Sequence, residues 1–332
     1  MRNTLVIAEA GVNHNGSIAI GKDLIDIAIS AGADIVKFQT FKAENLSTRH
    51  ANRANYQKIT TNSDGTQYEM LKSLELTHEM HLELMGYAKS RGIQFLSTAF
   101  DIEAASYLHS LGQDLFKIPS GEITNLPYLR KIGEIASEVI LSSGMSTMNE
   151  ISDAIKILES AGLSRQKITV LHCTTEYPAP YGEINLLAMN EIKEQLGVSV
   201  GYSDHSEGIE VAIAAVALGA IVIEKHFTVD KSLPGPDHKA SLEPLELFRM
   251  IRSIRNIEKS LGKKQKKPSK SEINNIRAIR KSIVAIKQIR AGDLMTDQNI
   301  GIKRPGTGIS PMLWDRYINT IATRNYEVDD LI

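Results

Sequence analysis

Short runs of apolar and β-branched residues recur along the chain, and between them lie segments whose apolar positions repeat every three to four residues. The short runs fall at 5–10, 34–40, 94–100, 115–120, 139–144, 168–174, 199–205 and 220–228. Their length and composition predict strands. The segment 18–30 predicts a helix, with Leu24, Ile25, Ala28 and Ile29 on one face, and 151–158 and 211–218 predict others. Eight strands alternating with helices predict a (β/α)8 TIM barrel, parallel and closed by right-handed crossovers. A doubly wound open sheet is the alternative. The strand number, and the lack of a Gly-x-Gly-x-x-Gly at the first helix, argue against it.

The connection at 41–76 breaks the short-loop rule. It is rich in Asn, Thr, Gln, Lys and Ser, with one helix-like stretch at 68–74. Loops this long inside compact domains serve as lids or binding loops. One that follows a barrel strand belongs at the catalytic mouth. The barrel is expected over 1–261. The lysine-rich stretch 262–278, which opens Gly262-Lys263-Lys264-Gln265-Lys266-Lys267-Pro268, predicts a solvated linker rather than a nucleic-acid patch. A small domain is expected over 279–332, with turns at Ala291-Gly292-Asp293 and Arg304-Pro305-Gly306. A unit of about fifty residues is marginal alone and should dock on something.

Composition adds bounds. The 332 residues suit a barrel plus a small module, and 42% apolar residues can build a large core. A net charge of -1 gives no electrostatic reason to expect nucleic acid or an anionic membrane as partner. Cys173 is the single cysteine, so no intramolecular disulfide can form and a reducing cytoplasm is expected. The opening apolar run is broken by Glu9 and by Asn13-His14-Asn15, unlike a secretory leader. No apolar stretch approaches the roughly 18 residues of a membrane span.

In a barrel, chemistry gathers at the C-terminal strand ends. Here those ends carry Glu9, Lys37 and Gln39, Thr98, Lys117 and Ser120, Ser142, Thr175, Ser203 and His205, and Glu224 and His226. The strand period of two puts Lys37 with Gln39, Ser203 with His205, and Glu224 with His226 on shared faces. His205 and His226 end adjacent strands about 4.8 Å apart, so two imidazoles can share a divalent ion, with Glu9 orienting a water or completing the shell. Lys37 and Lys117, with Thr98, Ser120 and Ser203, predict a pocket for a phosphate and a carboxylate. Inward carboxylates are expected to be too few to neutralise these lysines. Cys173 is a poor nucleophile candidate, because the adjacent His172 points to the opposite face.

The motifs Glu9-Ala10-Gly11-Val12-Asn13-His14-Asn15-Gly16, Val36-Lys37-Phe38-Gln39-Thr40, Lys117-Ile118-Pro119-Ser120-Gly121-Glu122, His172-Cys173-Thr174-Thr175-Glu176-Tyr177-Pro178, Gly201-Tyr202-Ser203-Asp204-His205 and Glu224-Lys225-His226-Phe227-Thr228 occur in this order along nearly the whole chain. Together they resemble the bacterial sialic acid synthase family, which makes N-acetylneuraminate, legionaminate and pseudaminate. The segment Lys303-Arg304-Pro305-Gly306-Thr307-Gly308 resembles that family's antifreeze-like (SAF) domain.

The resemblance implies condensation of phosphoenolpyruvate with an open-chain N-acetylated amino-sugar. N-acetylmannosamine and 2,4-diacetamido-2,4,6-trideoxymannose are the candidate sugars. It implies His205 and His226 as ligands of manganese, or of magnesium or cobalt. Lys37, Thr98, Lys117, Ser120 and Ser203 match phosphoenolpyruvate contacts. Glu9, Gln39, Tyr177 and Asp237 match sugar- and water-handling positions, and Glu122 matches the acid beside phosphoenolpyruvate. Glu9, Glu122 and Lys117 are the expected catalytic residues. Thr175 stands where some members carry an asparagine on the phosphate, and Ile283 where the small domain usually carries an aromatic residue. Arg304 matches an arginine that reaches the partner's sugar site in a domain-swapped homodimer. A pseudaminate synthase, a sugar-phosphate synthase of the octulosonate type and a non-catalytic carbohydrate-binding protein are the rival expectations.

Overall fold

The computed structural model describes residues 3–332. These form two compact units, one running to Gly262 and the other spanning Lys263–Ile332.

The first unit holds eight parallel strands: β1 (Leu5–Gly11), β2 (Ile35–Thr40), β3 (Gln94–Ala99), β4 (Leu115–Ile118), β5 (Glu138–Ser142), β6 (Ile168–Cys173), β7 (Ser199–Asp204) and β8 (Val222–His226). Their order is β3-β2-β1-β8-β7-β6-β5-β4, so the sheet curls until β3 meets β4. This is the barrel, not the open sheet. The β3–β4 seam carries no ladder among the described residues. The Gln113 side chain stands in for one there. Its Oε1 accepts from Ser97 N–H and its Nε2 donates to Ser97 O, both at 2.9 Å. An amide side chain thus satisfies backbone groups that burial would otherwise leave unpaired.

The alternation of each strand divides its residues between two compartments. Outward residues such as Val6, Val36, Phe38, Phe116, Val139 and Tyr202 pack under the surrounding helices. Inward residues form layers. Ile7, Ile35, Leu96, Ile140, Leu171 and Val222 plug the lower barrel. One step further along the strands the layer turns polar, with Glu9, Lys37, Thr98, Lys117, Ser142, Ser203 and Glu224. The apolar plug is the rigid floor on which that layer stands.

The outer helices start and stop where local chemistry dictates. Helix Ile18–Ala31 is capped by the Ser17 hydroxyl and ends at Gly32, whose φ of 83° suits glycine. Helix Met148–Ser160 opens on a capping box between Thr147 and Glu150. Helix Pro244–Leu261 buries Leu247, Met250, Ile251 and Ile254. Each such side chain contributes about 1.5–3 kcal/mol.

The segment after β2 is not an irregular loop. It folds into helices Ala43–Leu46, Asn55–Thr61 and Gln67–Leu74. Met70 and Leu74 pack with Val12 and Phe41 into a small separate core that fastens this cover to the barrel rim.

In the second unit, β9 (Ser282–Ala285) pairs antiparallel with β10 (Ile300–Lys303). Its core is Ile283, Ala285, Ile289, Met295, Ile300, Ala322 and Tyr326. Ile283 is fully buried there, which removes it from any surface stacking role. The stretch expected to be linker contains helix Lys270–Ile279, nucleated by a Ser269–Glu272 capping box. Lysine density masked that signal. No described helix is long and apolar enough to cross a membrane.

Candidate active site

Glu9, Lys37, Gln39, Thr98, Lys117, Ser120, Glu122, Thr175, Tyr177, Ser203, His205, His226 and Asp237 all line one cavity of about 350 Å³ at the C-terminal ends of the strands. That volume suits small ligands. Arg304 belongs to the other unit, where its Nε donates to Ile279 O.

The cavity floor is an ion-paired quartet. Lys37 Nζ lies 2.7 Å from Glu9 and 3.5 Å from Glu224. Lys117 Nζ lies 3.2 Å from Glu224. Ser203 donates to Glu224 at 2.9 Å, Lys37 donates to Thr98 at 2.9 Å, and Gln39 donates to Glu9 at 3.2 Å. The expectation of too few inward carboxylates is therefore wrong: Glu9 and Glu224 match the two lysines charge for charge. Unpaired, each ammonium would carry the full desolvation penalty.

The two carboxylates differ. Burial pushes Glu224 up, but Lys117 and Lys37 outweigh burial and hold it below the usual range. Glu9 is pushed up by burial, which Lys37 does not fully offset. Burial also lowers Lys117, whereas Glu224 and Glu9 keep Lys37 raised against the same penalty.

Beside the lysines lies a cradle of hydroxyls. Ser142 Oγ and Thr175 Oγ1 are buried without hydrogen-bond partners. Ser120 Oγ accepts from Gly144 N–H at 3.0 Å. A Cβ on Gly144 would collide with Thr175 Oγ1 and lie 2.8 Å from Ser120 Oγ, so the backbone approaches as only glycine allows. Two ammonium groups in one cavity with unpartnered hydroxyls are suited to bind an anion. Cys173 Sγ sits 3.3 Å from Ser120 Oγ, and burial pushes its thiol up, away from the nucleophilic thiolate.

Across the cavity the rings of His205 and His226 lie 5.6 Å apart. His205 Nδ1–H donates to Thr174 O at 2.6 Å, which turns the Nε2 lone pair away from the backbone. Burial pulls His205 down to about 4. Burial and the neighbouring His205 pull His226 well below its ordinary value. Both are neutral at pH 7, the form that ligates metal, and His226 Nδ1 is buried and unpartnered. The donor set therefore fits a divalent ion with two protein nitrogens and further positions left to water or substrate. Among the described residues, no group of three or more His, Cys, Asp and Glu side chains converges on one point. Glu9 does not complete the shell, because its oxygens are turned to Lys37 and Gln39. Asp237, 3.9 Å from His226 Nδ1, is pushed up to about 7 by burial and by the charge of Glu9.

Glu122 is half-buried at the cavity edge. Burial raises its carboxyl, and its Oε2 accepts from Asn125 at 2.6 Å. The cover supplies Tyr56, Gln57, Gln67, Leu46, Met70, Leu71 and Leu74 to the cavity. Tyr56 lies 5.0 Å from the Tyr177 ring, and Tyr177 lies 4.2 Å from His205. A row of three rings thus joins the cover to the histidine pair.

The sequence placed Glu224 and Ser142 at strand ends without assigning either a role, and did not single out Gly144 or Tyr56. For Glu224 the signal was present, since it shares a strand face with His226. Ser142 likewise follows Ile140 on an inward face. Tyr56 has no signal, because its position depends on how the cover folds.

Fold and cavity define a (β/α)8-barrel enzyme with two lysines and a cradle of hydroxyls on the floor below a histidine pair. The chain belongs to the NeuB family, whose model matches residues 24–266. It is 53% identical over all of its length, and 99% of the relative's, to an N,N'-diacetyllegionaminic acid synthase from Campylobacter jejuni. It is 46% identical, over 92% of this chain and 86% of the relative, to the Legionella pneumophila protein of the same name. The crystal structure of an N-acetylneuraminic acid (sialic acid) synthetase from Leptospira borgpetersenii in complex with citrate is similar at 33% identity. Its TM-score is 0.72, with 83% of this chain and 90% of that one covered.

Proposed function

We propose that this enzyme joins phosphoenolpyruvate to an open-chain N-acetylated amino-sugar, giving a nine-carbon 2-keto sugar acid and phosphate. The observation that carries the reading is that Lys37 and Lys117 line one cavity with the unpartnered hydroxyls of Ser142 and Thr175. That arrangement matches the phosphate and carboxylate of phosphoenolpyruvate. Among the described cavity-lining residues these two lysines are the only lysine or arginine side chains.

His205 and His226 would hold a divalent ion, manganese by preference, which when bound polarises the sugar aldehyde as a Lewis acid. Phosphoenolpyruvate, held by Lys37, Lys117 and the hydroxyl cradle, presents C3 to the aldehyde carbon. Positive charge then develops at C2, and water adds there. Glu122 is the better base for that water. Burial raises both carboxyls, but both Glu9 oxygens are engaged by Lys37 and Gln39, whereas Glu122 gives only Oε2 to Asn125. Glu9 orients Gln39 and Lys37 toward the substrates. As phosphate departs, Lys117 and Lys37 stabilise its charge. The cover, with Tyr56 against Tyr177, keeps water out and holds both substrates in near-attack geometry.

The small unit is read as an antifreeze-like domain of a domain-swapped homodimer that delivers Arg304 to the partner's sugar. The single buried Cys173 accords with a cytoplasmic setting.

The test is phosphate release from phosphoenolpyruvate with manganese present. Release is expected with N-acetylmannosamine or 2,4-diacetamido-2,4,6-trideoxymannose. Faster release with arabinose 5-phosphate would overturn the reading. Near-normal turnover of His205→Ala with manganese restored would sink the metal role.

A further inference from the structure

We propose that Asp204 and Lys225 form a clamp on the outer face of the barrel wall that sets the separation of His205 and His226, and with it the affinity for a divalent ion. The inference rests on the reading that these two histidines hold the ion.

The strand period gives the geometry. Ser203 and His205 point inward from the end of β7, and Glu224 and His226 from β8. Asp204 and Lys225 therefore point outward, each directly beside a histidine in sequence. They are register partners and the last rung of the β7–β8 ladder. Beyond that rung the chains separate. His205 O accepts from Ala179 N–H, and His226 O accepts from Leu242 N–H. The last direct tie between the two strands below the histidines is thus the Asp204–Lys225 pair.

That tie has several points of attachment. Lys225 Nζ lies 3.0 Å from Asp204 Oδ2, and both side chains are fully buried. Asp204 Oδ1 accepts from Ser206 N–H at 2.9 Å and from Ser206 Oγ at 2.6 Å. Lys225 Nζ also donates to Ser206 O. The pair therefore fixes the residues before and after His205 as well as the residue before His226. These are positioning residues, since neither side chain enters the cavity.

A stabilising role alone does not account for the arrangement. Apolar side chains of similar volume in place of a buried ion pair are often as stable or more so. What they lack is a fixed direction and length. A metal site is sensitive to both, and loss of supporting contacts to its ligands typically weakens metal binding by about 10–100-fold.

The test compares the metal-stripped parent with D204L/K225M. Manganese affinity is measured by isothermal titration, alongside thermal unfolding and binding of inorganic phosphate. The expected result is a folded variant whose manganese affinity falls tenfold or more while phosphate binding stays within twofold. Unchanged manganese affinity in the folded variant overturns the clamp. If D204L/K225M fails to fold, D204N decides. It keeps the shape and the Oδ1 acceptor but loses the charge, so a weakened manganese affinity supports the clamp and parental affinity overturns it. A parent that binds no manganese, or an H205A/H226A variant that binds it as tightly as the parent, overturns the metal reading itself. That failure is distinct from the failure of the clamp.

Discussion

Replacing Glu224 by glutamine probes the balance of charge on the cavity floor. The side chain is buried, with one oxygen 3.2 Å from Lys117 Nζ and 2.9 Å from Ser203 Oγ, and the other 3.5 Å from Lys37 Nζ. Glutamine preserves the shape. It removes one of two negative charges and turns an amide N–H₂ toward an ammonium group. Two buried lysines then share Glu9 alone. Breaking a buried pair by removing one partner costs about 3–5 kcal/mol. For a unit of this size the unfolding midpoint should fall by on the order of 10 °C. The same change leaves the floor with excess positive charge, which an anion can neutralise. Inorganic phosphate should therefore raise the midpoint of Glu224→Gln by more than it raises that of the parent. Thermal unfolding with and without phosphate measures both effects. A variant within about 1 kcal/mol of the parent, or equal phosphate stabilisation of both proteins, would refute the charge-balance argument.

Tyr56→Ala removes the first ring of the row that reaches His205. The KM for the sugar should rise roughly three- to tenfold, the value of one aromatic pair, with the KM for phosphoenolpyruvate unchanged in steady-state assays. Gly144→Ala drives a Cβ into Thr175 and Ser120. Overpacking of about 1–3 kcal/mol then falls on the anion cradle, so the KM for phosphoenolpyruvate should rise while that for the sugar is spared. Burial pulls His81 down to about 4. Below its unfolded value of about 6.5 the unfolded chain takes up a proton that the folded chain refuses, so stability falls as pH drops from about 6.5 to about 4. His81→Gln should remove about one proton from that slope in denaturant titrations, and an unchanged slope would contradict the assignment.

The strands were legible because a parallel barrel buries both faces of each strand. Runs such as 168–174 stand out for that reason, and their polar ends mark the mouth. His205, His226, Lys37 and Lys117 followed from period and position. The pairing partner of the lysines was harder to see, because Glu224 serves the floor one layer below His226 and only barrel closure brings it against Lys117 from β4. Of the cover's three helices, Gln67–Leu74 was legible as the helix-like stretch 68–74, whereas Ala43–Leu46 and Asn55–Thr61 were missed for a different reason. Both are too short to show a period, and each is held at its start by a side-chain oxygen, Glu75 accepting from Ala43 N–H and Gln57 from Ala54 N–H. The Gln113 bridge at the seam is likewise invisible without the neighbouring strand.

The most direct test of the central claim is to incubate the purified, manganese-loaded protein with phosphoenolpyruvate and 2,4-diacetamido-2,4,6-trideoxymannose, with N-acetylmannosamine in parallel, and to follow phosphate and product by mass spectrometry. The account predicts a nine-carbon 2-keto acid formed in equal amount to released phosphate, from one or both sugars. Phosphate release without that acid, or no consumption of phosphoenolpyruvate with either sugar, would contradict it.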